Sequence, residues 1–275
     1  MEINQKVRNW IEDMPKRGGI TFSMDEVVNH FPNKSIETIQ SSIYRLIRKK
    51  QVCSVWRGFY VVIPDEYALR GYVPPIEYIN NLMHHLGHIY YVGLLSAAAI
   101  HGSSHQQPQS FMVVVNSNDI RNNKKLDSDI HFVAKAKIKE ESLQIRNTSY
   151  GQVKISNPVM TMLDCILYEN RIGGLERAAT VINGLIESVS DITNSDSLMW
   201  TMYPISVIQR LGFIVESVLG YKELGEEIYR KAFNLGISFR KNLLYPKMKN
   251  VGCIEFPLNK RWKIVENINL EIENN

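Results

Sequence analysis

The sequence predicts an α+β protein. A winged helix-turn-helix occupies residues 1–63, a connector spans 64–75, and a larger mixed α+β domain with a small sheet covered by helices fills 76–275. Three observations predict it. The first 63 residues hold three amphipathic helical patterns followed by two short β-prone runs around a glycine turn. The same stretch carries the whole positive excess of the chain, with ten Lys/Arg against six Asp/Glu and 22 of each in the remainder. Beyond residue 110, β-prone runs give way to helical spacing and return at the end, the order of an α+β domain.

The bulk numbers limit the classes of function. A length of 275 residues suggests two domains, and 44% apolar with 22% charged residues is the balance of an ordinary globular protein. Cys53, Cys165 and Cys253 are odd in number and widely spaced, so neither a disulfide framework nor a zinc site is expected. The opening MEINQKVRNW has no apolar signal core, and the most apolar stretch, residues 90–100, is too short for a membrane span of about 20 residues. A cytoplasmic protein without a membrane partner is therefore expected. The concentrated N-terminal charge makes a polyanion the first partner to consider.

The first helix is expected over residues 3–14, with Ile3, Val7, Trp10, Ile11 and Met14 on one stripe. The run 16–19 breaks it. Ser23 followed by Glu26 forms a capping-box pattern for a second helix, whose apolar face is Val27, Val28 and Phe31. Pro32 and Asn33 end that helix and leave a turn of three or four residues. A third helix over 35–50 places Ile36, Ile39, Ile43, Leu46 and Ile47 on one side. Lys34, Thr38, Ser41, Arg45, Arg48 and Lys49 lie opposite, with Glu37 on the flank. Hydroxyls and cations without a central acid suit the major groove, where Arg bridges guanine O6 and N7. Runs 52–55 and 59–63 around Trp56, Arg57 and Gly58 form a hairpin, with Arg57 at its tip.

Pro64, Asp65, Glu66 and the run 71–75 mark the connector. A helix follows at 76–86, then a small-residue helix and polar loop over 91–109. Strands are expected at 111–115, 130–134, 143–149 and 153–156. Helical spacing covers 159–168, 175–186, 204–219 and 223–235, and β-like sequence returns at 253–256 and 262–270.

Four segments resemble the AbiEi family of antitoxins. The most specific is YVGLLSAAAIHGSSHQQPQSFMVVV at 91–115. NPVMTMLDCI at 157–166, IQRLGFIVESVLG at 208–220 and RWKIVENINLEIE at 261–273 agree in order and spacing. The resemblance implies the antitoxin of a type IV toxin–antitoxin system, acting in phage defence by abortive infection. It further implies that the N-terminal domain binds inverted repeats in promoter DNA and represses its own operon. The C-terminal domain would counteract a nucleotidyltransferase-like toxin without requiring a stable complex. Where the family signature often carries a second arginine, this chain has Gln209 before Arg210.

Thr38, Ser41 and Arg45 are the candidates for base edges; Lys34, Arg48, Lys49 and Arg57 are the candidates for phosphates. No catalytic residue, metal or cofactor is expected. His101 and His105 stand four apart, but Gly102 ends the helix between them, so His101 is read as a packed residue. His84, His85 and His88 lack an acidic or cysteine companion, and a helix surface accounts for them. Asp164, inside an apolar helix, is read as a capping or paired acid with Arg177 or Arg210 as partner, and Glu216 is read in the same way. P-loop, GxGxxG, GxSxG and HExxH motifs are absent. Asp127 and Asp129 ahead of Lys135 only loosely imitate a nuclease cluster. Two rival readings stay open: a metal-dependent nuclease or nucleotidyl-transfer enzyme using the C-terminal domain, and a protein-interaction module that binds no DNA.

Overall fold

The computed structural model describes residues 6–103, 108–120, 129–189, 192–246 and 256–272. Ile3, His105, Asp127 and Cys253 lie outside them. The chain forms two compact units, one of residues 1–91, 114–136 and 145–154, the other of 92–113, 137–144 and 155–275. The mixed α+β class, with several helices and small sheets, is the one expected.

In the first unit, α1 (Val7–Glu12) is too short to persist alone. It is held by Val7 and Ile11, which join Phe22, Val27, Ile39, Ile43, Leu46 and Val52 in one core. Trp10 closes the edge of that core, stacked on His30 at 5.0 Å. Arg17 ties the following turn back by donating from Nη2 to the Trp10 carbonyl at 2.8 Å. Next comes β1 (Thr21–Ser23), a strand too short to show alternation in the sequence. The capping box starts α2 (Met24–His30): Ser23 Oγ accepts from the Glu26 amide at 3.1 Å, and Glu26 Oε2 accepts from the Ser23 amide at 2.6 Å.

Ser35 caps α3 (Ile36–Arg48) by accepting from the Thr38 amide at 3.3 Å. Ile39, Ile43 and Leu46 are buried, as the wheel predicts. Ile36 departs from that expectation and is 52% exposed. It occupies the first helical position, ahead of the turn that meets the core. β2 (Val52–Trp56) and β3 (Phe59–Val62) form the expected hairpin, with a bulge between Ser54 and Trp56. Its turn needs Gly58 at φ +74°, a conformation that strains side-chain-bearing residues. β1 joins the far side of β3, giving the order β1-β3-β2. The short α4 (Asp65–Ala68) and then α5 (Ile79–Leu86) follow.

A five-stranded sheet has the order β6-β5-β4-β8-β7. Its strands are β4 (Tyr90–Val92), β5 (Phe111–Val115), β6 (Ile130–Ala134), β7 (Leu143–Thr148) and β8 (Gly151–Ser156). β4 runs parallel to β8, with Val92 opposite Ile155. The sequence predicts the beginning of a helix here; instead the strand ends at Val92, Gly93 takes the cap position, and α6 (Leu94–Ile100) follows.

The second unit is built around α7 (Pro158–Leu167). Asn157 caps it by accepting from the Met160 amide at 2.8 Å, and residues 159–166 are all buried. After the short α8 (Glu169–Ile172), α9 (Leu175–Leu185) packs beside α7. α10 (Ser197–Trp200) leads to α11 (Ile205–Phe213), which continues as a π-helical turn over Ile214–Val218. α12 (Lys222–Asn234) returns along that turn. β9 (Asn242–Leu243), β10 (Leu258–Asn259) and β11 (Ile264–Val265) form a small sheet, β10-β11-β9. The strand expected over 262–270 thus shrinks to two residues. Trp262 lies in the turn before it, fully buried, with its indole lying against Gly212.

Candidate nucleic-acid interface

Lys34, Thr38, Ser41, Arg45, Arg48 and Lys49 are all exposed around α3, and Arg57 is exposed at the hairpin turn. The cause is the helical period: with Ile39, Ile43 and Leu46 turned into the core, residues about half a turn away face solvent. Lys34 precedes the helix with its ammonium 6.0 Å above the Phe31 ring. Thr38 is less free than its neighbours, since its hydroxyl lies 3.0 Å from Ser35 Oγ within the cap. Ser42, half-buried, donates to the Thr38 carbonyl at 2.9 Å.

The structure adds two residues to this face. Tyr44 is 62% exposed beside Glu37, on the side away from Arg48, a place that helical geometry alone assigns. Arg8 of α1 lines a cleft of about 420 Å³ together with Ser42, Arg45, Leu46, Arg48 and Lys49. Spacing along the chain cannot reveal this, because Arg8 reaches α3 only through the packing of α1 against it. Arg8 is held by Glu12 at 2.8 Å. Glu37 is the one acid on the face. Its carboxylate pKa is lowered by its own backbone amide and by the Ser35 hydroxyl, so it stays ionised in the first turn.

Cations concentrated at a helix C-terminus also complement the helix dipole, an effect of a few tenths to about 1 kcal/mol each. That accounts for Arg45, Arg48 and Lys49 near the end of α3, but not for Lys34 before its start or Arg57 in the hairpin.

The other singled-out residues sit in structural roles. His101 donates from Nε2 to the Ser156 carbonyl at 2.7 Å, closing α6 against the end of β8 as expected. His85 lies on the Phe59 ring at 5.1 Å. Among the described residues, no group of three or more His, Cys, Asp or Glu side chains is gathered for a metal ion. Asp164 is fully buried and accepts from the Tyr203 hydroxyl at 2.8 Å. Burial of Tyr203 itself, and then the adjacent Asp164 carboxylate, push the Tyr203 hydroxyl well above its usual pKa. Arg210 instead lies in the field of Glu169, while its burial lowers the guanidinium pKa. Glu216 accepts from the Trp262 indole N–H at 2.8 Å. Lys135 is buried and donates to the Tyr91 hydroxyl at 3.2 Å, whereas Asp129 is exposed.

Gln209 explains its own departure from the arginine pair. It is fully buried; its Nε2 donates to the carbonyls of Arg240 and Trp262, each at 2.7 Å, and its Oε1 accepts from Asn242 at 2.9 Å. A neutral amide satisfies two acceptors and one donor here, which a guanidinium, having only donors, cannot do.

The chain is thus an α+β protein whose first unit carries a basic, solvent-facing helix and whose second unit is rich in helices. Residues 91–217 match the family model of the AbiEi antitoxin C-terminal domain, and this match supports an AbiEi family antitoxin. No curated protein matches the sequence. Among solved structures, the RV2827C protein from Mycobacterium tuberculosis is similar in fold. It has a TM-score of 0.60 at 12% identity, over 93% of this chain and 89% of that one. No helix among the described residues is long and apolar enough to cross a membrane.

Proposed function

We propose that the chain is the antitoxin and transcriptional autorepressor of a type IV toxin–antitoxin system. In this reading residues 1–63 form a winged helix-turn-helix that binds inverted repeats in promoter DNA, 64–75 connect, and 76–275 carry the antitoxin function. The toxin partner is a nucleotidyltransferase-like protein, counteracted without a stable complex being required. The antitoxin role is supported by the family match over 91–217. DNA binding is supported most by one observation: seven hydroxyl or cationic side chains all face solvent on α3, just before and after it, and on the hairpin turn, while the apolar face of α3 is buried.

Arg45 is assigned to a guanine edge, with Thr38 and Ser41 beside it. Lys34, Arg48, Lys49 and Arg57 are assigned to phosphates that fix register. Arg8, held near Arg45 and Lys49, adds a phosphate contact from α1. Sequence would then be read by a few side chains, and most of the affinity would come from counterion release.

The test is a mobility shift of the DNA upstream of the chain's own gene against shuffled DNA of the same length. Retention of the upstream fragment alone supports the reading. Equal retention of both, or of neither, contradicts specific repression. For the antitoxin half, expressing this chain beside the adjacent gene should restore growth that the adjacent gene alone arrests.

A further inference from the structure

The second unit carries a basic, aromatic cleft that the operator reading does not use. It lies beyond residue 217, outside the segment matched by the family model. Its volume is about 280 Å³, and Tyr229, Phe233, Phe239, Lys260, Arg261 and Lys263 line it.

The floor of the cleft is rigidly built. Trp262 is fully buried, its indole N–H bonded to Glu216 at 2.8 Å and its ring edge to face with Tyr229 at 5.5 Å. Phe239 stacks obliquely on the same indole at 5.5 Å. Arg261 lies 4.4 Å above Tyr229, and its charge is met by Glu216 at 3.2 Å and Glu226 at 2.5 Å. The lip is different. Lys260 and Lys263 are both exposed, and neither ammonium group makes an ion pair or hydrogen bond among the described residues, while the Lys263 carbonyl accepts from the Asn242 amide at 3.0 Å. Lys263 is held at φ +51°, the left-handed region, by the turn that buries Trp262. Phe233, at the end of α12, is 75% exposed. A bare aromatic ring beside two unneutralised ammonium groups is the combination that binds single-stranded nucleic acid, in which bases stack and phosphates meet cations. An acidic peptide would satisfy the lysines and leave the ring uncovered.

We propose that this cleft binds an unpaired nucleotide, its base stacked on Phe233 and its phosphate between Lys260 and Lys263. The nucleotide is either free or part of a single strand. Stacking makes the site tolerant of base identity, and the small cleft excludes a paired duplex base.

The test uses the full chain carrying Arg45→Ala, Arg48→Ala and Lys49→Ala, so that α3 contributes little. Fluorescence anisotropy follows a labelled oligouridine. Phe233→Ala should weaken binding about tenfold or more, and Phe233→Leu should do nearly the same because it keeps bulk but not stacking. Lys260→Glu with Lys263→Glu should weaken binding further and flatten its salt dependence. All these positions are on the surface, and thermal melting checks that the fold is unchanged. Displacement of the oligomer by uridine monophosphate at matched nucleotide concentration identifies a free nucleotide as the ligand. Failure of the mononucleotide to displace a bound oligomer identifies a strand. Unchanged affinity in Phe233→Ala, or displacement by polyglutamate as effective as by oligouridine, overturns the proposal. Neither result bears on duplex binding by α3.

Discussion

Gly212→Ala should destabilise the second unit. A Cβ at this position would stand 2.0 Å from Trp262 Cη2, 2.1 Å from Cζ3 and 2.5 Å from Cζ2. Ordinary carbon contacts are about 3.5–4.0 Å, so the ring would have to withdraw by about 1.5 Å or more. It has nowhere to go: the indole N–H is bonded to Glu216, and Tyr229 and Phe239 flank the ring. Overpacking of this kind costs about 1–3 kcal/mol, and an overlap with three ring atoms belongs at or beyond the upper end. The better helix propensity of alanine returns about 1 kcal/mol. A net loss of about 2 kcal/mol is expected, read in urea as a lower transition midpoint by tryptophan fluorescence. Adding Trp262→Leu should remove the clash, so that the double variant is more stable than the sum of the single effects by about 1 kcal/mol or more. A midpoint in Gly212→Ala equal to or above that of the parent chain would mean that the indole of Trp262 is free to withdraw and is not clamped.

Other expectations follow from particular residues. Ser23→Ala removes one half of the capping box and should cost about 1 kcal/mol in the first unit, measured by denaturation. Asp196 accepts from the Ser142 hydroxyl and from the Leu198 amide, and the Ser142 bond leads in lowering its carboxyl pKa below 3.8. A depressed acid stabilises above its unfolded pKa and loses that contribution as pH falls through the folded one. Ser142→Ala should therefore cost stability at neutral pH, and the difference from the parent should shrink as pH drops below about 4; a pH-independent difference would count against the cause given. Arg45→Ala should weaken operator binding by about 1–3 kcal/mol and relax selectivity at one base pair. Affinity for the operator unchanged by that substitution would mean that α3 presents another face to DNA.

The parts most legible in the sequence are those set by short-range rules. The Ser23–Glu26 box, the Ile39, Ile43 and Leu46 stripe and the hairpin at Gly58 are read from spacing alone, and each appears where expected. β1 and β4 are less legible, since a three-residue strand shows no alternation and exists only through its partner strands. Ile36 fails for a related reason: periodicity assigns a side but not whether the core extends to that end of the helix. At the candidate interface, the outer face of α3 was legible because exposure is the complement of burial on one helix. Tyr44 lies at the edge of that face, and a pattern of charges and hydroxyls does not mark it. Arg8 was not legible, because it arrives through tertiary packing of α1 on α3. The same holds for Trp262, which reads as a strand residue and is in fact the centre of a buried aromatic group on Gly212 and Glu216.

In the proposed function, the outer face of α3 grips the phosphates and bases of promoter DNA. The measurement that tests it most directly is the salt dependence of binding to the upstream fragment, compared between the parent chain and Lys49→Ala. Each lost phosphate contact should reduce the slope of log affinity against log salt by about 1, while the preference for upstream over shuffled DNA is kept. A slope unchanged in Lys49→Ala, with affinity also unchanged, would contradict the claim and place any DNA contact elsewhere on the chain.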